Sequence, residues 1–148
     1  MQIRELEAPD LDGLLDLYEH LHEVDAPRPQ PTEVEAVWAK LLGNPAFICF
    51  GGFISGKLIS SCTLAIIPNL TRGCRPYALV ENVVTHTDYR RQGHGKKLLN
   101  HTLTTAWEAG CYKAMLMTGR KDEATLAFYE SVGFDPRAKQ AFVAKPGK

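Results

Sequence analysis

Arg90-Arg91-Gln92-Gly93-His94-Gly95-Lys96 is the stretch that decides the fold. It follows an apolar, β-rich run, Tyr77 to Thr85, and precedes a run with helical periodicity, Leu98 to Gly110. A strand that leads through a glycine-punctuated basic turn into a helix is an anion-binding arrangement. The first N–H groups of a helix have no intrahelical acceptor and carry partial positive charge. Glycine lets the backbone approach the anion closely. Two nucleotide readings fail on spacing. A P-loop needs a glycine five residues before Gly95 and a Ser or Thr after Lys96, where the chain has Arg90 and Lys97. The dinucleotide fingerprint needs a third glycine where Leu98 stands.

The rest of the chain limits the ligand. Its 148 residues carry 17 Lys and Arg against 17 Asp and Glu, for zero net charge. The basic turn is therefore a local feature on a neutral protein, which favours a small anion over nucleic acid or an anionic membrane. Apolar residues make up 45%, enough for a core in one domain spanning 1–148. The cysteines Cys49, Cys62, Cys74 and Cys111 are scattered without a Cys-x-x-Cys pair. They suggest neither zinc nor a disulfide framework and fit a reducing, cytoplasmic setting. No metal-spaced histidine cluster exists either, so no metal is expected. The first residues are acidic and amphipathic and resemble no signal peptide, and the longest apolar run, Cys62 to Ile67, is far short of a membrane span.

Working outward, Gln2 to Glu7 reads as a first strand. Leu11, Leu14, Leu15, Tyr18 and Leu21 recur at helical spacing, with Asp10 as the expected N-cap. Three prolines between Ala26 and Pro31 break the helix, and Thr32 with Glu35 reads as a capping box for the next one. That helix should bury Val34, Val37, Trp38, Leu41 and Leu42 and stop at Gly43. Ala46 to Ile54 and Lys57 to Ile67 flank Ser55-Gly56, a two-residue hairpin signal. Cys111 to Thr118 reads as a buried strand, Glu123 to Val132 as a helix ended by Gly133, and Ala138 to Lys145 as a last strand. The order β-α-α-β-β-β-α-β-α-β implies an α/β (α+β) fold with a mixed, mostly antiparallel sheet. The crossover after Tyr77–Thr85 is long enough for one parallel pair.

Arg90, Gly93 and Gly95 match the pattern Arg/Gln-x-x-Gly-x-Gly/Ala. Here the chain resembles the GNAT superfamily of acyl-CoA-dependent N-acetyltransferases. The segment from Val83 to Gly95 looks like the family's strand, turn and helix start. Thr125 to Phe134, with Phe128-Tyr129 and Gly133-Phe134, looks like its second signature, about 35 residues on as a compact connection requires. The resemblance covers roughly the C-terminal half. Val80-Glu81-Asn82-Val83 and Gly110-Cys111-Tyr112-Lys113 are further similar to the glucosamine-6-phosphate N-acetyltransferases.

The resemblance implies acetyl-CoA as co-substrate and assigns residues. The N–H groups of Arg91, Gln92, Gly93, His94, Gly95 and Lys96 would cradle the CoA pyrophosphate, with Arg90, Arg91 and Lys96 adding charge. Val83, Val84 and Thr85 would pair with the pantetheine arm as an added strand. Tyr129 would protonate the leaving thiolate, since a phenol titrating near 10 carries its proton at neutral pH. Glu81, a carboxylate inside an apolar strand, would take a proton from the amine. Asn82 should face the opposite way and be structural. Thr125 stands where the family often has a CoA-binding asparagine. Acceptor specificity should come from the first two helices, the proline loop and the loop before Tyr77. There Glu23 and Asp25 would suit a cationic amine, and Arg72 and Arg75 an anionic group. The leading expectation is acetyl transfer to a small-molecule primary amine. A protein or peptide acceptor, an amino-sugar phosphate, and a non-catalytic CoA-binding module stand as alternatives. Many relatives are dimers, so a homodimer is possible.

Overall fold

Ser55 and Gly56 have φ of 49° and 79°, both left-handed, as a tight two-residue hairpin turn demands. They join strand β2 (Phe47–Ile54) to β3 (Lys57–Ile67). β1 (Gln2–Glu5) pairs antiparallel with β2, and β4 (Tyr77–Thr85) antiparallel with β3. β5 (Ala114–Leu116) lies parallel to β4, giving the five-stranded order β1-β2-β3-β4-β5. This is the expected mixed, mostly antiparallel sheet. The computed structural model describes residues 1–147 and divides into two units, Met1–Leu116 and Met117–Lys148.

In the first unit, helices cover both faces of the sheet. Helices α1 (Leu11–Tyr18) and α2 (Pro31–Leu42) bury Leu14, Leu17 and Trp38 against Leu6, Cys49, Leu58 and Val84. Helix α3 (His94–Glu108) buries Leu98, Leu99, Thr102 and Ala106 on the opposite face, where Thr102 Oγ1 lies 3.1 Å from Cys62 Sγ. Leu98 and Leu99 are fully buried, so truncating either to alanine removes roughly 2–5 kcal/mol. The second unit contains helix α4 (Glu123–Glu130), capped by Asp122, whose carboxylate accepts from the Thr125 N–H at 2.9 Å. Gly133, at φ 107°, lets the chain leave the helix.

Several expectations are corrected. Residues 138–147 form no strand: Phe142 and Val143 are 89% and 75% exposed, so the weak alternation there reflects no buried face. The strand expected over Cys111 to Thr118 shrinks to three residues, because pairing with β4 ends at Val80 opposite Leu116. Helix α3 starts at His94, four residues early, because Gly93 turns left-handed at φ 81° and acts as its N-cap. Trp107 and Val37, placed on buried faces, are 49% and 56% exposed. Asp10 stands at the N-cap position of α1, but its side chain makes no capping bond to that helix. It closes a preceding 3-10 turn, accepting from the Glu7 N–H at 2.7 Å and from both terminal nitrogens of Arg4. Those bonds to Arg4 hold its carboxyl below the usual range. Thr32 sits inside α2 rather than before it, because Pro31 already occupies the first turn.

Candidate functional site

Between β4 and α3 the chain makes a short 3-10 turn, Thr87–Tyr89, capped by His86, whose Nδ1 accepts from the Asp88 N–H at 3.2 Å. Gln92 Nε2 donates to the Asp88 carbonyl at 3.0 Å and ties the next bend. Arg91 and Gly93 are left-handed, at φ 61° and 81°. Such alternation gathers successive N–H groups on one concave side. No backbone N–H from Arg91 through Lys96 donates within the described residues; the first to do so is Lys97, to the Gly93 carbonyl at 3.1 Å. Six consecutive donors are thus left for a ligand at the positive end of a 15-residue helix. A Cβ on Gly93 would meet nothing within 4 Å, so the space over the turn is open. Arg91, Lys96 and Lys97 are exposed and have no carboxylate at ion-pair distance among the described residues. Three cations at the positive end of a helix oppose its dipole, unless an anion sits between them. The turn therefore fits an anion.

Arg90 differs from the others. Its guanidinium donates to two backbone carbonyls, Thr85 at 2.9 Å and His20 at 2.8 Å.

β4 provides the second element. Its pairing with β5 covers only Ala78 to Val80, so Glu81 to Thr85 have an open edge on that side. The His86 N–H donates to Ile59 on β3, so by alternation Thr85 directs its backbone groups toward the open edge. Ser60 Oγ donates to the Val84 carbonyl on the β3 side, and Arg90 occupies the Thr85 carbonyl. The Thr85 N–H is left facing the open edge.

Glu81 is half-buried and pairs across the sheet with Thr63, which places it on the α1–α2 face. The regular alternation assumed for Asn82 is broken. Ser61 pairs with Val84 and Thr63 with Glu81, so Asn82 and Val83 together oppose Cys62 in a bulge. Asn82 takes φ 51°, a conformation asparagine tolerates better than most residues. Tyr18 of α1, which the sequence marks only as part of the apolar helix face, meets this bulge. Burial pushes its phenol up to about 12, offset in part by hydrogen bonding to Thr63 and Asn82.

In the second unit, Tyr129 is half-buried, with its ring 5.0 Å from Phe128 and 6.3 Å from Phe134. The Phe134 and Val132 N–H groups donate to its carbonyl and hold the helix end. Thr125 gives both its N–H and its hydroxyl to Asp122, each at 2.9 Å, so its side chain serves the α4 cap. These bonds hold the Asp122 carboxyl below its usual range.

A second basic cluster surrounds the far end of β4. Arg72, Arg75 and Lys113 lie 5.3–6.0 Å from the ring of Tyr112, and Lys113 also lies 5.3 Å from Tyr77. None has an ion-pair partner among the described residues. Cys49, Cys62 and Cys111 are buried with thiols raised by burial, Cys62 to about 12, so they are held as inert thiols. Among the described residues no three His, Cys, Asp or Glu side chains group as a metal site, and no helix is long and apolar enough to cross a membrane.

A strand with an open edge, an anion cradle and the following helix define an α/β anion-binding site. Residues 11–134 match the description "Acetyltransferase (GNAT) family", and the chain belongs to that family of acetyl-CoA-dependent N-acetyltransferases. Among curated proteins it is 33% identical to the glucosamine 6-phosphate N-acetyltransferase of Trypanosoma brucei brucei, over 95% of this chain and 92% of that one. Among solved structures, a protein of Agrobacterium tumefaciens str. C58, provisionally named an acetyltransferase, superposes with a TM-score of 0.93 at 43% identity, covering 99% of this chain and 100% of that one. The glucosamine-6-phosphate N-acetyltransferase of Arabidopsis thaliana shares the fold, with a TM-score of 0.81 at 22% identity and 97% of each chain covered.

Proposed function

We propose that this protein transfers the acetyl group of acetyl-CoA to a primary amine of a small molecule by direct attack. The observation that carries this reading is the run of unengaged N–H groups from Arg91 to Lys96, following the open edge of β4 in the chain. The cradle would hold the pyrophosphate, and the backbone of Val83 and Thr85 would take the pantetheine arm. A backbone N–H at the bulge would polarise the thioester carbonyl; a donor aimed at a developing oxyanion lowers a barrier by about 3–4 kcal/mol. Glu81 would accept the proton of the incoming ammonium, directly or through water. The amine nitrogen then bonds to the carbonyl carbon, the C–S bond breaks, and Tyr129 would give its proton to the departing thiolate. The family match bridges both units and supports reading 1–148 as one catalytic domain. Four free cysteines support a reducing, cytoplasmic setting.

Within this class, the cluster of Arg72, Arg75 and Lys113 favours an acceptor that also carries an anionic group, as an amino-sugar phosphate does. The likeness to glucosamine 6-phosphate N-acetyltransferases supports the same acceptor. The test is thiol release from acetyl-CoA against a panel of glucosamine 6-phosphate, glucosamine, an aminoglycoside and a lysine peptide. Release with the amino sugars and none with the peptide supports the reading. Release with the peptide alone overturns it, and faster release with glucosamine than with its phosphate removes the anionic preference.

A further inference from the structure

Arg90 opens the phosphate-turn pattern, yet its donors are used elsewhere. Nε donates to the carbonyl of Thr85, the last residue of β4, at 2.9 Å. Nη2 donates to the carbonyl of His20 at 2.8 Å. His20 lies in the turn that ends α1, where its own N–H donates to Leu17 and that of Leu21 to Tyr18. A cation on the last carbonyls of a helix is favoured by the dipole. A ladder of rings runs alongside: His20 to His86 at 4.1 Å, His86 to Tyr89 at 5.6 Å, and Tyr89 to His94 at 6.3 Å. His94 is the first residue of α3. Thr87 Oγ1 adds a contact to His20 Nδ1 at 3.4 Å. The end of α1 and the phosphate turn are thus joined by backbone-directed bonds and by tilted and edge-on ring contacts, all within the first unit.

We propose that Arg90 is a positioning residue, which fastens the segment following α1 to the cofactor turn instead of binding phosphate itself. That segment, residues 19–30, carries Glu23 and Asp25 and has no regular structure. Loading the turn with CoA then stiffens the acceptor side as well. The proposal rests on the reading that Arg91 to Lys96 hold CoA. A planar guanidinium can reach two carbonyls in divergent directions, which a lysine ammonium on a flexible stem does not reproduce, although lysine would serve as a phosphate contact.

Amide hydrogen exchange of the full chain, with and without CoA, tests this alongside CoA affinity. In the wild-type protein CoA is expected to slow exchange in residues 86–97 and also in 19–24. In Arg90→Lys and Arg90→Met, CoA affinity is expected to stay within about threefold of wild type, while protection of 19–24 by CoA drops about tenfold. Unchanged exchange across β2 and β3 confirms that the variants fold. Protection of 19–24 that persists in both variants overturns the proposal. So does an affinity that Arg90→Met loses and Arg90→Lys keeps, which marks a charge on phosphate. Wild-type protection confined to 86–97 overturns this inference alone. A wild-type protein that does not bind CoA overturns the function reading and takes this inference with it.

Discussion

Two neighbouring stretches of the first unit, residues 86–97 and residues 19–30, are built on opposite principles. In the first, named bonds and backbone conformations shape the turn while leaving six N–H groups outward: His86 caps a 3-10 turn, Gln92 ties the bend, Arg91 and Gly93 turn left-handed, and α3 begins. In the second, once the turn at 19–21 and its bond from Arg90 are passed, the ties are few and weak. Asp25 accepts from the next residue's N–H at 2.7 Å, and Arg28 meets Glu19 at 3.9 Å with both side chains more than half exposed. An ion pair of that kind contributes little. On the proposed function, the difference follows from what each stretch would meet. The diphosphate is the same in every CoA thioester, so a rigid array of N–H groups can be matched to it in advance. An acceptor amine has no common shape, and a segment rich in proline and charge leaves its surface free to vary.

The sharpest way to break this comparison is to spoil the rigid side. In Gly93→Glu a carboxylate enters the cradle, where like charges 4 Å apart repel by about 4 kcal/mol at an effective dielectric near 20, or roughly 10³-fold in CoA affinity. Gly93→Asn, which tolerates the left-handed backbone, should retain most of the affinity. Calorimetry with CoA that finds the two variants equal would remove the cradle from the account. A smaller effect is expected at the proton donor: Tyr129→Phe should lower turnover about 10²-fold, with CoA affinity within about twofold. Unchanged turnover would sink its assignment. On the loose side, Glu23→Gln combined with Asp25→Asn should raise the KM for the amine by less than about tenfold and leave CoA binding alone. A large loss of CoA affinity there would erase the distinction between the two stretches.

The smallest effect expected is in pH dependence, at the join. Burial, with His20 and Lys57 beside it, holds the His86 imidazole below its ordinary value. The unfolded chain then binds that proton more readily, so the contribution is fully present above about pH 6.5 and is lost as pH falls below it. His86→Gln should flatten the dependence of Tm on pH between about 5 and 7. A slope unchanged from wild type assigns the titration to another group.

The same contrast explains what the sequence disclosed. Glycines at 93 and 133 and the Ser55-Gly56 pair mark places where the backbone must turn left-handed, and such demands are local, so they are readable. The β4 bulge was not readable. It needs one residue in a left-handed conformation, and asparagine accepts that state without advertising it, so strict alternation was assumed through Asn82. The strand expected over 138–145 failed for a related reason. Phe142 and Val143 supply apolar spacing, but a strand exists only where an edge receives it, and that is a tertiary matter. Arg90 was read as charge because the motif pairs it with a phosphate site. Its two carbonyl partners lie at the end of β4 and after α1, and only the fold brings them together.

The central claim is that Arg91 to Lys96 and the open edge of β4 receive CoA. Titrating CoA into labelled protein, while following the backbone amides by NMR, tests it most directly. The account predicts the largest shifts at Arg91 through Lys96, with a second set at Val83 and Thr85. Shifts that spare both sets, or that centre on residues 19–30, would contradict it.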